Sequence, residues 1–363
     1  MSTVSKNLFV FIGTYTEKEG SQSKGIYVYR MDPASGELSF VWEAKGILNP
    51  SYLEFHPQQR FLYAVNEVQS FSGQESGGVT ALSIDPRSGE LNVLNAYSSQ
   101  GKDPCYISIE QTGRFALVAN YSSGNASMLP IQPNGQLGPA TDVAQHAGSS
   151  IHPDRQTAPF MHSIVPDPTN RFSVTADLGT DKLVLYEMDL ENGKLKKHTE
   201  VSVKPGSGPR HTLFHPNEPY LYLINELAST LTVYRYTSET GSLEELQTIS
   251  TLPPGFEGEN LCADLHICGN YLYASNRKHD SLAWYLVDET TGRLTYQGEM
   301  PSGGKEPRGF AIDPTGNFLL AAHERSDNVV IFQIDPGTGK LLPTGQEIKL
   351  SYPVCVKFAH WEE

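Results

Sequence analysis

Ionisable side chains occupy two positions of a strand pattern that recurs along this chain of 363 residues. The first position, near the start of one strand, carries Ser51, Cys105, His162, Arg210, Leu261 and Arg308. The second position, at the end of the next strand, carries Glu67, Tyr121, Leu178, Glu226, Arg277 and Glu324. Purely structural positions would repeat similar residues, whereas these hold a histidine, three arginines and three glutamates. Groups of both charges converging on one place indicate a polar substrate pocket with acid–base chemistry.

A repeated turn organises the strands that would position these groups. Copies of D-x-x-x-G-x-L begin at Asp32, Asp85, Asp189, Asp288 and Asp335, and looser copies begin at Gln132 and Thr237. The seven turns follow one another about every 50 residues, a period typical of repeat architectures. Asp and Pro favour a type I turn and the glycine supplies the positive φ that closes it, so each copy joins two antiparallel strands.

A second repeat runs in phase with the turns and completes a unit of four strands. An apolar strand and a turn lead to an aromatic-rich strand, as in 50–67 and 210–226. This pattern predicts an all-β, seven-bladed β-propeller with four antiparallel strands per blade. The N-terminal strands and one C-terminal strand, 353–360, would complete the seventh blade and close the ring. We therefore expect a single domain over 1–363, with both ionisable positions at one mouth of its central channel.

Two further features bear on that mouth. The segment 142–161 is longer than its counterparts and carries His146, His152, Arg155 and Gln156, so we expect it to form a lid or wall over the site. The residue before the second position is repeatedly polar, which favours hydrogen bonding within the blades over catalysis. The residues concerned are Asn66, Asn120, Asp177, Asn225 and Asn276.

Composition excludes several classes of function. The net charge of −14 and the lack of a basic run argue against nucleic acid as a partner. No apolar run reaches 18 residues, so we expect no membrane span, and the first residues predict no signal peptide. The four cysteines lack metal-site or disulfide spacing, which favours free thiols in the cytoplasm.

Known ligand-binding motifs are also missing from the sequence. It contains no nucleophile elbow, phosphate-binding loop or dinucleotide fingerprint, and we expect no cofactor. We expect no metal either, although a hard cation held by carboxylates is an alternative. The oxygen ligands for it would be Glu67, Asp181, Glu226 and Glu324.

Three segments resemble the family of seven-bladed propeller lactonases, which includes bacterial 6-phosphogluconolactonases and a fungal carboxymuconate-lactonising enzyme. They are GPRHTLFHPNEPYLYLINELASTLTVY (208–234), HPDRQTAPFMHSIVPDP (152–168) and DLGTDKLVLYEMD (177–189). The resemblance covers nearly the whole chain and implies lactone chemistry without a cofactor. By motif it implies His162, Arg210, Glu226 and Arg277 as the catalytic set. One departure is Phe160, which stands where the family often has a second histidine.

The resemblance leads to a hypothesis for hydrolysis of 6-phospho-D-glucono-1,5-lactone, a pentose phosphate reaction. Arg210 and Arg277 would stabilise the oxyanion, while Glu226 and His162 would act as base and acid in an order that the sequence leaves open. The remaining substrate-binding candidates are Arg155, Arg308, Glu67 and Glu324, of which the two arginines would hold the phosphate.

Two alternatives remain at this point. The same arginines would suit a cyclase acting on a carboxylated muconate, and a propeller without catalysis would bind a partner on one face. We expect a small anionic lactone as the partner of a monomer or weak homodimer.

Overall fold

Seven antiparallel sheets of four strands each form the fold in the computed structural model, which describes residues 8–361. The predicted seven-bladed β-propeller is therefore confirmed. The first seven residues, where no signal peptide is predicted, lie outside the described residues, as do both ends of the predicted 1–363 domain. In the described part, no helix is long and apolar enough to cross a membrane.

Each sheet is one blade, and its strands run from the channel outwards. Blade I consists of β28 (Pro353–His360), β1 (Leu8–Thr14), β2 (Gly25–Met31) and β3 (Leu38–Lys45). Blade II consists of β4 (Leu53–Phe55), β5 (Phe61–Asn66), β6 (Gly78–Ile84) and β7 (Leu91–Ser98). Blade III consists of β8 (Pro104–Ile109), β9 (Phe115–Asn120), β10 (Asn125–Pro130) and β11 (Asp142–Gln145). Blade IV consists of β12 (Met161–Pro166), β13 (Phe172–Asp177), β14 (Lys182–Asp189) and β15 (Lys194–Ser202).

The remaining three blades follow the same order. Blade V consists of β16 (Pro209–Phe214), β17 (Tyr220–Asn225), β18 (Thr230–Thr237) and β19 (Ser242–Ser250). Blade VI consists of β20 (Leu261–Cys268), β21 (Tyr271–Arg277), β22 (Ser281–Val287) and β23 (Leu294–Pro301). Blade VII consists of β24 (Pro307–Ile312), β25 (Phe318–His323), β26 (Asn328–Ile334) and β27 (Leu341–Lys349).

The ring closes through blade I. Strand β28 pairs with β1 in antiparallel register, from Leu8 opposite His360 to Ile12 opposite Val356. The innermost strands contact one another all the way round, because β28 touches both β24 and β4. Closure covers the inner edge of β1 and leaves the unpaired edges of the innermost strands facing the channel.

Apolar side chains fill the space between every pair of neighbouring blades. Successive side chains of a strand point to opposite faces, so a central strand feeds two interfaces. In β1, Phe9 and Phe11 face blade II, whereas Val10 and Ile12 face blade VII. Seven such clusters occur among the described residues, one at each blade interface. The core is therefore a set of radial wedges around the channel.

Two structural features explain why each of the repeated turns contains a glycine. All seven turn glycines have positive φ, as at Gly36 (76°) and Gly89 (73°), which is a conformation that favours glycine. Each also packs under the first aromatic ring of the second strand in the preceding blade. A Cβ on Gly89 would lie 2.8 Å from the ring of Phe9, and one on Gly292 would lie 2.5 Å from Tyr220. The turn and the aromatic strand are thus two sides of one contact between blades.

Candidate active site

One mouth of the channel forms an open cleft with a cavity volume of about 170 Å³. Its lining comes from blades II to VII and from the long segment before blade IV. The residues are Glu67, Cys105, Tyr121, Arg155, His162, Arg210, Glu226, Arg277 and Arg308. Seven of the eight site residues predicted from sequence are among them. The eighth, Glu324, places its Oε2 3.7 Å from Nη1 of Arg308.

A β-bulge in the innermost strand presents the first set of side chains. In blade V, Pro209 pairs with Asn225 and His211 with Ile224, so Arg210 between them has no partner in the ladder. Equivalent bulges occur at Cys105, His162 and Arg308. A bulge turns a side chain away from the regular alternation, and bulges are common beside active sites. Here the bulges direct unlike side chains from different blades into one cleft.

The guanidinium half of the cleft consists of Arg155, His162, Arg210, Glu226 and Arg277. Glu226 lies at its centre, where its Oε1 accepts a hydrogen bond of 2.6 Å from Nη2 of Arg155. Its Oε2 accepts one of 2.6 Å from Nη1 of Arg210 and lies 2.9 Å from Nη2 of Arg277. Three charged donors from three parts of the chain therefore converge on one buried carboxylate.

These contacts keep the carboxylate and the arginines charged. Burial raises the pKa of Glu226, but the guanidiniums of Arg277 and Arg210 outweigh it and hold that pKa well below its usual value. Burial lowers the pKa of Arg277 to about 10, with Glu226 acting in the other direction, so Arg277 is protonated at neutral pH. Glu226 is thus a poor proton acceptor and a strong anchor for guanidinium groups.

His162 is a neutral imidazole in the same half. Burial, followed by the charge of Arg210, keeps its pKa well below the usual value. Arg210 donates from Nη1 to Nε2 of His162, and because a guanidinium only donates, Nε2 carries the lone pair. The proton then sits on Nδ1, which lies 3.5 Å from Sγ of Cys105. Nε2 is therefore a base poised among positive charges.

The hydroxyl half of the cleft consists of Tyr15, Ser51, Glu67, Arg308 and Glu324. The hydroxyl of Tyr15 lies 2.9 Å and 3.0 Å from the two carboxyl oxygens of Glu67, and Ser51 Oγ donates to the second of them. The Arg308 guanidinium lies over the ring of Tyr15, 5.5 Å from its centre. Glu67 is therefore held mainly by neutral donors.

The electrostatics of this half differ from those around Glu226. Burial raises the pKa of Glu67, and Arg308, Ser51 and Tyr15 offset that effect only in part. Burial disfavours the charge of Arg308 too, but Tyr15, Glu324 and Glu67 raise its pKa well above the usual value. The pKa values of Glu67 and Glu226 are thus shifted in opposite directions by their surroundings.

The long segment before blade IV forms a wall of the cleft, in agreement with the lid or wall that we expected. Arg155 reaches Glu226 from this segment, and its Nη2 also lies 3.3 Å from the hydroxyl of Tyr121. Phe160 stacks on Tyr121 with 5.0 Å between the ring centres. His146 instead lies in the scaffold, where it hydrogen-bonds to Asp177 and Tyr186.

Two assignments from the sequence need correction. Leu261 is not at the first ring position: β20 pairs Cys262 with Asn276, so the residue equivalent to Arg210 is Ala263. The turn between Cys268 and Tyr271 is two residues shorter than the one between His215 and Tyr220, so a count of ten residues back from the first aromatic overshoots by two. The sequence reading also missed Tyr15, which follows β1 as Glu67 follows β5. The same count of six residues from the first aromatic, here Phe9, would have found it.

The polar residues before the second position serve the scaffold, as predicted. Asn66, Asn120 and Asn276 each donate to a backbone carbonyl in the loop that enters their own blade from the preceding one. The accepting residues are Leu48, Ser99 and Thr251 respectively. Asn225 hydrogen-bonds within its blade to Thr230 and Thr232, and Asp177 accepts the backbone N–H groups of Gly179 and Thr180.

The arrangement of carboxylates gives no support to the alternative of a bound cation. Within residues 8–361, no group of three or more histidine, cysteine, aspartate or glutamate side chains is placed to hold a metal ion. Asp181, one of the four oxygen ligands considered, instead accepts the backbone N–H groups of Gly206 and Gly208. The four cysteines are free thiols, as predicted.

Comparisons with known proteins agree on one family. Residues 9–358 match the family model described as lactonase, 7-bladed beta-propeller. The 6-phosphogluconolactonase of Bacillus subtilis is 36% identical over 352 residues, which cover 96% of this chain and 98% of that protein. The crystal structure of a putative 6-phosphogluconolactonase from Bacteroides fragilis superposes with a TM-score of 0.90 at 36% identity and covers 99% of this chain and all of that one. A periplasmic gluconolactonase from Pseudomonas aeruginosa has a TM-score of 0.91 at 34% identity, with 97% of this chain and 99% of that chain covered.

Proposed function

The chain belongs to the seven-bladed β-propeller lactonase family, and we propose that it hydrolyses 6-phospho-D-glucono-1,5-lactone to 6-phosphogluconate. The observation that carries this proposal is the guanidinium half of the cleft, where a neutral histidine lies among arginines fixed by one carboxylate. This combination supplies a base for water and charged donors for an oxyanion, which are the two needs of ester hydrolysis. The relatives described above are named for lactone hydrolysis, which favours hydrolysis over the cyclase alternative.

His162 is the general base in this proposal. Its Nε2, freed from the Arg210 donor when substrate binds, takes a proton from the attacking water as the oxygen bonds to the lactone carbonyl carbon. Glu226 is unsuited to that step because three guanidiniums occupy its oxygens and lower its pKa. Its role is to position Arg210 and Arg277. This proposal assigns the base, which the sequence left open between Glu226 and His162.

The four arginines divide by exposure. The side chains of Arg210 and Arg277 are 3% and 8% exposed. Donors so poorly solvated and so firmly held suit the oxyanion, since fixed charges act most strongly where water is excluded. Those of Arg155 and Arg308 are 34% and 17% exposed, which leaves them accessible to a phosphate.

The charge of the cleft fits an anionic substrate. With every arginine and glutamate of its two halves ionised, four positive charges face three negative ones, and the neutral His162 adds none. The rest of the molecule is acidic, with a net charge of −14 for the chain. The electrostatic potential at this mouth would therefore attract a phosphorylated lactone. The cytoplasm is the compartment we propose, since four free cysteines suit a reducing environment.

A coupled assay tests the proposal. Purified protein is mixed with 6-phosphogluconolactone, product is followed with 6-phosphogluconate dehydrogenase, and the spontaneous rate is subtracted. We expect clear acceleration by the wild type and a loss of about 10²-fold or more in His162→Asn, which keeps an N–H near Nδ1 but removes the base.

The control for this assay is His215→Asn, which changes a histidine in the turn after β16 outside the cleft. We expect it to keep the wild-type rate. A wild-type rate equal to the spontaneous one would overturn the proposed function, and full activity in His162→Asn would overturn the role of the base.

A further inference from the structure

The ring oxygen of an opening lactone needs a proton, and in the guanidinium half His162 gains one only from the attacking water. His162 can pass that proton on only in a later step, after the water has attacked. Arg210 and Arg277 remain charged donors whose loss of a proton at neutral pH is unfavourable. An acid that already carries a proton would serve the leaving oxygen without waiting for that transfer.

Glu67 is placed to meet that need. It follows β5 of blade II, three blades away from Glu226 in a ring of seven, so the two carboxyl groups face each other across the same cleft. In the proposed reaction the substrate carbonyl is held in the guanidinium half, and its ring would extend towards the hydroxyl half.

The partners of Glu67 suit a carboxyl group that cycles between two forms. Tyr15 and Ser51 can donate hydrogen bonds to the ionised form, and their hydroxyl oxygens can accept one from the protonated form. Two cations lie near it: Arg308 is shared with Glu324 and with the ring of Tyr15, and Lys18 places its Nζ 4.7 Å from the centre of the same ring.

Other proton carriers of the cleft are less suitable. Burial raises the pKa of Cys105 and of Tyr121, so both hold their protons too tightly to act as acids near neutral pH. Glu226 carries no proton, because its pKa is held low. Glu67, whose pKa is raised from that of an ordinary carboxyl, is the remaining candidate.

We propose that Glu67, positioned by Tyr15 and Ser51, is the acid that protonates the leaving ring oxygen of the lactone; this inference rests on the proposed function. The bond between the carbonyl carbon and the ring oxygen breaks, its electron pair goes to the oxygen, and the Glu67 proton bonds there. The new carboxylic acid then ionises and returns a proton to Glu67, while His162 releases the proton of water to solvent. The net change is lactone plus water to carboxylate plus one proton.

The test compares pH profiles of kcat/KM for the wild type and two variants. In the wild type, activity falls as pH rises through the pKa of Glu67. Glu67→Gln keeps the polar contacts but lacks the proton, so we expect a loss of about 10²-fold and no such fall. Tyr15→Phe removes a donor to the ionised carboxylate, so the pKa of Glu67 rises and the fall in activity moves to higher pH.

A second readout does not depend on activity. Infrared spectroscopy detects the C=O band of a protonated carboxyl, and we expect a band that disappears as pH rises in the wild type and is missing in Glu67→Gln. Glu54→Gln is the matched control, since it changes a glutamate of the same blade that pairs with Lys357 outside the cleft. It should retain the wild-type rate and profile, and circular dichroism verifies the fold of each variant.

The outcomes separate this inference from the function on which it rests. An inactive wild type refutes the lactonase proposal itself. An active wild type with the same rate and pH profile as Glu67→Gln refutes only the role of Glu67. A profile that does not move in Tyr15→Phe refutes the positioning by Tyr15.

Discussion

The two halves of the cleft surround two equivalent glutamates, Glu226 and Glu67, with opposite kinds of partner. Glu226 accepts charge-assisted hydrogen bonds from Arg155 and Arg210 and lies beside Arg277. Glu67 is held by two hydroxyl groups and lies near a single arginine. Identical side chains at equivalent positions of two blades are therefore an anchor for cations in one case and a carrier of protons in the other. The role of such a residue is set by what the neighbouring blades contribute.

We expect the largest effect from a glutamate-to-glutamine substitution in the guanidinium half, compared with the same substitution made separately in the hydroxyl half. Glu226→Gln leaves three guanidiniums without their carboxylate, and loss of one partner from a buried ion pair costs about 3–5 kcal/mol. We expect a corresponding fall in the free energy of unfolding, measured in urea at pH 7.5, together with a loss of at least about 10²-fold in turnover.

Glu67→Gln provides the contrast. It should not lower stability at pH 7.5, because burial already disfavours the ionised form of Glu67. Equal losses of stability in the two variants would contradict the distinction between the halves.

Lowering the pH should change the contributions of the two halves to folding stability in opposite directions. Unfolded histidine binds a proton near pH 6.5, whereas burial lowers the pKa of His162 well below that and the pKa of His211 to about 4. The unfolded chain then binds more protons between these values, so these groups lower stability as pH falls from 6.5 towards 4. For His211 the loss amounts to about 3 kcal/mol when each pKa unit is worth about 1.4 kcal/mol.

Glu67 works in the other direction over part of this range. Its pKa is raised in the folded protein, so the folded state binds the proton first and gains stability as pH falls through that pKa. The free energy of unfolding, measured with urea at a series of pH values, should therefore fall less steeply with decreasing pH in His162→Asn than in the wild type. In Glu67→Gln it should fall more steeply. Parallel curves for all three proteins would contradict this account.

A smaller effect should separate phosphate recognition from chemistry. Arg308→Gln and Arg155→Gln each remove one accessible guanidinium, and a charge-assisted hydrogen bond is worth about 1.5–3 kcal/mol. We expect KM for 6-phosphogluconolactone to rise about 10- to 100-fold, with little change in KM for unphosphorylated gluconolactone. The ratio of the two values is the measurement, and an equal rise for both substrates would place these arginines away from the phosphate.

The fold was predictable because its repeat signals are local and carry their own physical reasons. A turn glycine at Gly89 and a ring at Phe9 are parts of one contact between blades, so their patterns stay in phase along the chain. The second ring position followed correctly from a count along a regular strand. The first failed at Leu261, because the turn before β21 is two residues shorter than the one before β17, and a fixed count of ten residues ignores that deletion.

The chemical roles of the site residues were harder to predict from the sequence than the identity of those residues. Sequence reasoning placed His162 and Glu226 together but left open which one accepts a proton. That choice depends on three guanidiniums brought in from different blades and from the segment before blade IV, which no local pattern describes. Tyr15 was missed for a different reason: its inner partner strand, β28, lies at the other end of the chain.

Ring closure by β28 has a consequence for how the protein is made. Residues 353–360 pair with residues 8–14, so blade I lacks its innermost strand until six other blades have been synthesised. At roughly 5–20 residues per second on the ribosome, the exposed edge of β1 waits on the order of tens of seconds for its partner. During that time the edge can pair with another nascent chain. The vulnerable stage of this molecule is thus the interval before its last strand is translated, and a chaperone that shields β1 would act there.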